Sequence, residues 1–145
     1  MKQSQALEIL KSGQNVFLTG SAGTGKTHVL NEYIAYLKVR KVPVAVTAST
    51  GIAATHMNGM TIHSWSGIGI KSVITSSNLS SMKSKKYLKQ HLEKAQVLII
   101  DEISMVSPEL FSSIDKILRA FKYCDEPFGG LQLVLSGDFF QLPPI

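Results

Sequence analysis

Three short runs of the sequence place reactive residue types in an order that suits phosphate chemistry. The first, "GSAGTGKT" (Gly20 to Thr27), fits the pattern G-x-x-x-x-G-K-[S/T]. Its glycines let the backbone wrap closely and aim N–H groups at phosphate oxygens, and a helix beginning at its end adds positive dipole potential. On this reading Gly20, Ser21, Ala22, Gly23, Thr24 and Gly25 cradle the phosphates of ATP. Lys26 reaches the β- and γ-phosphates, and Thr27 sets its hydroxyl on Mg²⁺. The second run, "VLIIDEIS", places Asp101 and Glu102 side by side after four apolar residues. Such a pair is costly unless a cation or a water uses it. Asp101 is the candidate for the Mg²⁺ shell, and Glu102 for orienting or deprotonating an attacking water. A base beside the metal favours hydrolysis over binding alone. The third run, "SGDFFQLPPI", offers Gln141 as a contact for the γ-phosphate or the water, with Asp138 in the same shell. Read as structure only, the three runs would be a glycine-rich turn, an acidic turn and a polar cap.

The elements around these runs decide between the readings. Short apolar runs alternate with helix-period segments, the pattern of an α/β domain whose sheet is mainly parallel. "NVFLT" (15–19), "VPVAVTAS" (42–49), "VLIID" (97–101) and "LQLVLSG" (131–137) read as strands covered on both faces. The phosphate-loop run therefore sits between a strand and a helix, as its mechanism needs. In the helix that follows, Leu30, Tyr33, Ile34 and Leu37 fall on one face. A second helix is marked by Ser107 as cap, Pro108 in the first turn, and a stripe of Leu110, Phe111, Ile114, Ile117, Leu118 and Phe121. Ligands of open parallel sheets sit at the carboxyl ends of the strands, so all three reactive runs converge on one edge. Residues 66–94 stand apart, rich in Ser, Gly and Lys with weak periodicity, and read as a functional excursion or as a solvated linker and helix.

Composition bounds the alternatives. With 145 residues, 44% of them hydrophobic, one domain can bury its own core without a metal or disulfide staple. The single cysteine, Cys124, excludes an internal disulfide and agrees with a reducing compartment. No run approaches the roughly 20 apolar residues that cross a bilayer. An intracellular chain without a membrane partner is expected. The net charge of +5 agrees with a nucleic-acid partner without requiring one.

Five segments in order, "FLTGSAGTGKT", "VTASTGIAA", "GMTIHSWSGIGI", "VLIIDEISMVSPELF" and "FGGLQLVLSGDFFQLPP", resemble the first RecA-like motor domain of Pif-type DNA helicases, in the RecD-like group of superfamily one. The resemblance covers essentially the whole chain. It implies a RecA-like P-loop domain, ATP and Mg²⁺ as cofactors, and movement along single-stranded DNA from 5′ to 3′. It implies that Gln3 reads adenine, with Gln5 as a rival. It also implies that Thr47, Thr50 and Gly51, with Ser49 among them, contact a DNA phosphate, that His63 donates to another, and that Trp65 stacks on a base. In such helicases the position of residues 66–94 carries a small accessory subdomain.

Superfamily-one motors hydrolyse ATP between two RecA-like domains, the second of which supplies an arginine finger. The two arginines here, Arg40 and Arg119, sit in nothing like the later motifs. The expectation is a monomeric N-terminal motor domain, residues 1–145, cut from a longer helicase and lacking unwinding by itself. An AAA-type loader and a non-catalytic, nucleotide-dependent DNA-binding module are the rival readings.

Overall fold

The computed structural model describes residues 3–19, 25–69, 71 and 73–137. Among them, five strands form one sheet: β1 (Val16–Leu18), β2 (Val44–Ala48), β3 (Met60–Thr61), β4 (Val97–Asp101) and β5 (Gln132–Ser136). Every pair is parallel, and the order across the sheet is β1-β5-β4-β2-β3. The register runs from Val44↔Val97 to Ala48↔Asp101 between β2 and β4, and from Val97↔Gln132 to Ile100↔Leu135 between β4 and β5. The α/β fold with a mainly parallel sheet is thus as the residue pattern implies.

Helices cover both faces because the strand side chains alternate. Val97, Ile99 and Val134 point to α1 (Gln3–Lys11) and α2 (Lys26–Val39), where Leu10, Leu30, Tyr33 and Leu37 meet them. Leu98, Ile100 and Leu133 point the other way, to α4 (Ile62–Ser66), α5 (Ser76–Lys83), α6 (Lys86–Lys94) and α7 (Pro108–Phe121). Ile99, Ile100 and Leu98 are fully buried, each worth about 1.5–3 kcal/mol of hydrophobic stabilisation. α7 starts where the sequence places it: Ser107 Oγ accepts from Leu110 N–H at 3.1 Å, with Pro108 in the first turn.

A buried polar cluster ties the first helix to the sheet. Tyr33 Oη donates to Gln132 Oε1 (2.5 Å), and Gln132 Nε2 donates to the carbonyls of Leu10 (3.1 Å) and Gln14 (2.7 Å). Burial pushes the Tyr33 phenol above its ordinary pKa, the Gln132 bond opposing that shift, so Tyr33 keeps its proton and remains the donor.

Three elements differ from the sequence reading. α1 lies in an opening segment assigned no element, held by Ala6 and Leu10 one helical turn apart. β3 has two residues, too few for any period to show. Residues 66–94 are not a solvated linker: α5 and α6 set Met82, Leu88 and Leu92 into the core cluster shared with α7 and Trp65. Within that segment, α5 begins with a capping box between Thr75 and Asn78.

Candidate functional site

Parallel strands deliver all their carboxyl ends to one edge, and the reactive residues that the structure describes gather there. β5 lies between β1, which leads into the phosphate loop, and β4, which ends in the acidic pair. Gly20, Ser21, Ala22, Gly23 and Thr24 lie outside the described residues, as do Asp138 and Gln141. Gly25 is described and is left-handed at φ 86°, a conformation glycine adopts without strain. From the next residue, Lys26 Nζ donates to the Gly137 carbonyl at 3.1 Å, just past the end of β5. Thr27, in the first turn of α2, is exposed.

The acidic pair is held by backbone and serine groups. Asp101 Oδ1 accepts from Ser136 Oγ (2.7 Å), at the end of β5, and from Glu102 N–H (2.9 Å). Both bonds fall on Oδ1, which leaves Oδ2 for a cation. Glu102 itself is left-handed, φ 58° and ψ 45°, at the cap of a short 3₁₀ turn, Ile103–Met105. The donor set fits Mg²⁺, which takes one or two protein oxygens and completes its shell with phosphate and water. Among the described residues no three His, Cys, Asp or Glu side chains cluster as a metal cage.

The neighbouring turn is bonded to the same pair. After β2, Ser49 N–H donates to the Asp101 carbonyl (3.1 Å), and Ser49 Oγ donates to the Glu102 carbonyl (2.8 Å). Thr50 then caps α3 (Gly51–His56), its Oγ1 accepting from Ala53 N–H at 3.2 Å while its own O–H stays a donor. Gly51 is exposed, with open space where a Cβ would stand. His63 is half-buried on α4 at the same edge.

Two of the sequence-derived contacts are corrected. Thr47 is 1% exposed and its Oγ1 donates to the Ile99 carbonyl (2.7 Å), because side chains alternate along β2 and this one points into the domain. Trp65 is 5% exposed, packed in the main core and tilted against His91 with ring centroids 5.7 Å apart. Neither side chain is exposed enough to meet a DNA phosphate or stack on a base. Gln3, the first residue of α1, lays its carboxamide against Gly25, where a Cβ would collide with Nε2, and Gln5 lies two residues on in the same helix. Ser136 and the Gly137 carbonyl are site groups that the sequence reading passed over. A serine closing a strand whose three preceding residues are apolar, beside the strand that ends in a carboxylate, was the available signal.

The PIF1-like helicase family profile matches residues 2–145. The chain belongs to the PIF1-like helicase family. It is 61% identical over its full length to the ATP-dependent DNA helicase Pif1 of Psychrobacter sp. (strain PRwf-1), covering 22% of that protein. It is 47% identical to the ATP-dependent DNA helicase RRM3 of Saccharomyces cerevisiae, covering 20% of it. The chain thus spans about a fifth of the length of these curated relatives. Its fold matches the crystal structure of Pif1 helicase from Candida albicans with a TM-score of 0.93 at 42% identity, over 99% of this chain and 33% of that one. It also matches Bacteroides sp. Pif1 in complex with ADP-AlF4, with a TM-score of 0.82 at 42% identity, over 99% of this chain and 33% of that one. For Bacteroides Pif1 bound to single-stranded DNA the TM-score is 0.83, again at 42% identity, over 100% of this chain and 33% of that one. The PIF1-like domain is RecA-like, with its reactive residues on the edge described above.

Proposed function

We propose that this chain is the ATP-binding motor domain of a PIF1-like DNA helicase, hydrolysing ATP with Mg²⁺ and contacting single-stranded DNA. The observation that carries the reading is the pair of bonds from Ser49 to the backbone of Asp101 and Glu102, which joins the turn at Thr50 and Gly51 to the acidic pair. In this reading Gly20 to Gly25 cradle the phosphates, Lys26 offsets their charge, Thr27 and Asp101 hold the cation, and Gln3 meets the adenine. When bound, Mg²⁺ offsets negative charge on the phosphates. Glu102 orients the water and takes its proton, and Gln141 contacts the γ-phosphate or that water. Thr50 O–H, Gly51 N–H and His63 meet DNA phosphates, as backbone contacts that position without reading sequence.

The solved relatives with ADP-AlF4 and with single-stranded DNA support the choice of both ligands. A second RecA-like domain of the same polypeptide completes the site. Two exposed apolar residues flank the edge it would cover, Ile52 (76% exposed) on α3 and Met105 (51%) after the acidic pair. Among the described residues, both arginines are engaged elsewhere: Arg40 stacks on Tyr36, and Arg119 is bonded to Asp115 and to the Asp125 carbonyl. The whole protein moves 5′ to 3′ and acts on DNA inside the cell. The isolated chain, a monomer, binds Mg-ATP weakly, turns it over slowly and does not unwind duplex.

The test is a titration of a fluorescent ATP analogue into the chain, with and without Mg²⁺, beside Lys26→Ala. Saturable, Mg²⁺-dependent binding that Lys26→Ala abolishes supports the reading. Binding indifferent to Lys26 would remove the phosphate-loop assignment, and robust unwinding by the 145 residues alone would remove the need for a second domain.

A further inference from the structure

The side of the sheet away from β1 ends in an incomplete edge. β3 pairs with β2 only at Thr47↔Met60 and Ala48↔Thr61, whereas β2 pairs with β4 along its whole length, from Val44 to Ala48. Among the described strands, none lies outside Val44, Ala45 and Val46. Gly59 crosses the edge so closely that a Cβ there would strike the Val46 carbonyl, and this crossing ends the outer pairing at β3. Backbone polar groups of alternate residues point the same way in a strand. Val46 turns its carbonyl to the outer side, so Val44 turns its N–H and C=O there too.

This edge is the floor of an open groove of about 480 Å³. Lys38, near the end of α2, stands on one bank, and Trp65, Tyr87 and His91 stand on the other. Met60 closes the groove at the β3 end. An adjoining hollow of about 210 Å³ shares Val44, Ala45, Trp65 and His91 and extends it to Lys94. Tyr87 is 75% exposed and Met60 38%, large apolar surfaces left open among the described residues. Among the described residues, no Asp or Glu lines either hollow, and the charged side chains that do are lysines.

We propose that this groove docks an extended acidic peptide segment of a partner protein, bonded as a strand to the outward N–H and C=O of Val44 and ending short of the Val46 carbonyl that Gly59 covers. The partner's carboxylates face Lys38 and Lys94, and its apolar side chains rest on Met60 and Tyr87. Strand addition to an exposed edge takes affinity from main-chain bonds and specificity from alternate side chains. Three strand residues span about 10 Å, so a short run of the partner suffices. A single-stranded nucleic acid suits the groove less well. Its backbone offers acceptors with no donor for the strand carbonyls, and Trp65 is too buried to receive a stacked base.

The chain's one tryptophan lines the groove and reports on it. The probe is a capped heptapeptide, Glu-Val-Glu-Val-Glu-Val-Glu, titrated while Trp65 emission is followed, with calorimetry in parallel. Saturable binding is expected, weakened about tenfold by the Lys38→Glu, Lys94→Glu double substitution, as two reversed surface charge pairs would give. The two lysines are exposed, and circular dichroism checks that the double variant is folded. Tyr87→Ala is a second, independent variant expected to weaken binding. A Lys-for-Glu peptide, and the acidic peptide N-methylated at alternate residues, are both expected to fail. Equal binding by the N-methylated peptide would overturn strand addition. Oligo-dT that shifts Trp65 emission and depends on Lys38 and Lys94, with the peptide inert, would overturn the choice of partner. The absence of peptide binding at millimolar concentration would overturn the proposal altogether.

Discussion

Glu102 sits in left-handed backbone, where a residue with a Cβ costs about 1–2 kcal/mol. Hydrogen bonds on both sides hold it there, from its own N–H to Asp101 Oδ1 and from Ser49 Oγ to its carbonyl. Backbone strain of this kind concentrates where a side chain must be aimed. Glu102→Gln keeps the shape and removes the base. Nucleotide affinity is expected to stay within about twofold while turnover falls about 10²- to 10⁴-fold, read by equilibrium titration and single-turnover hydrolysis. The partner of Asp101 makes a second case. Ser136→Ala strips one of the two bonds from Oδ1, and denaturant unfolding should show a loss of about 1 kcal/mol. If Ser136 also aims the carboxylate, the Mg²⁺ concentration for half-maximal nucleotide binding should rise in the variant, an effect that lost stability alone would not produce.

The elements contribute by where they end. The turn after β2 links Thr50 and Gly51, the proposed phosphate contacts, to the acidic pair after β4, and Ser49 makes the bonds between them. Ser49→Ala is expected to leave basal ATP turnover within about threefold in a two-domain parent and to cut its stimulation by single-stranded DNA. Stimulation equal to wild type would show that coupling runs elsewhere. The start of α2 makes an opposite demand. Gly25 combines φ 86° with the Gln3 carboxamide pressed against it, so Gly25→Ala meets both backbone strain and a collision. A fall in thermal stability is expected, and Gln3→Ala added to it should recover only the part due to the collision. The helix and strand skeleton behind these sites was legible, since α2 and α7 carry their apolar residues at helical spacing and β4 is continuously apolar. α1 was not. Its two buried residues, Ala6 and Leu10, are too few to raise a pattern above the polar residues between them. The order of strands, with β5 between the two reactive loops, comes from long-range pairing that no local run contains.

At the scale of the whole molecule, residues 66–94 matter most. Their lysines and serines dominate the sequence, and the few residues that bind them to the core, among them Ile68, Ile74, Met82, Leu88 and Leu92, are diluted below visibility. The same dilution explains Trp65. A tryptophan beside a histidine suggests a stacking platform, yet its surroundings are supplied by α6, some 25 residues away, whose His91 Nε2 lies 2.6 Å from the Trp65 carbonyl. Trp65→Ala is expected to cost about 3–5 kcal/mol in denaturant unfolding, with any fall in DNA affinity explained by the folded fraction. A large loss of DNA affinity in a fully folded variant would restore the stacking role. Serines were read incompletely: Ser136 was passed over and Ser49 was taken only as a DNA contact, because only the adjacency of β2, β4 and β5 gives them their carboxylate and carbonyl partners.

Lys26 resting on the Gly137 carbonyl has a consequence for how occupancy is announced. An ammonium carries three donors, so a phosphate entering the loop either shares Lys26 with the Gly137 carbonyl or draws it away, and in both cases the charge felt at the end of β5 changes with occupancy. Gly137 is also anchored through its N–H to the Leu18 carbonyl at 3.1 Å, so this one residue is tied both to β1 and to the lysine of the phosphate loop. Gly137 is therefore the described residue at which β5 would first feel whether the loop is filled.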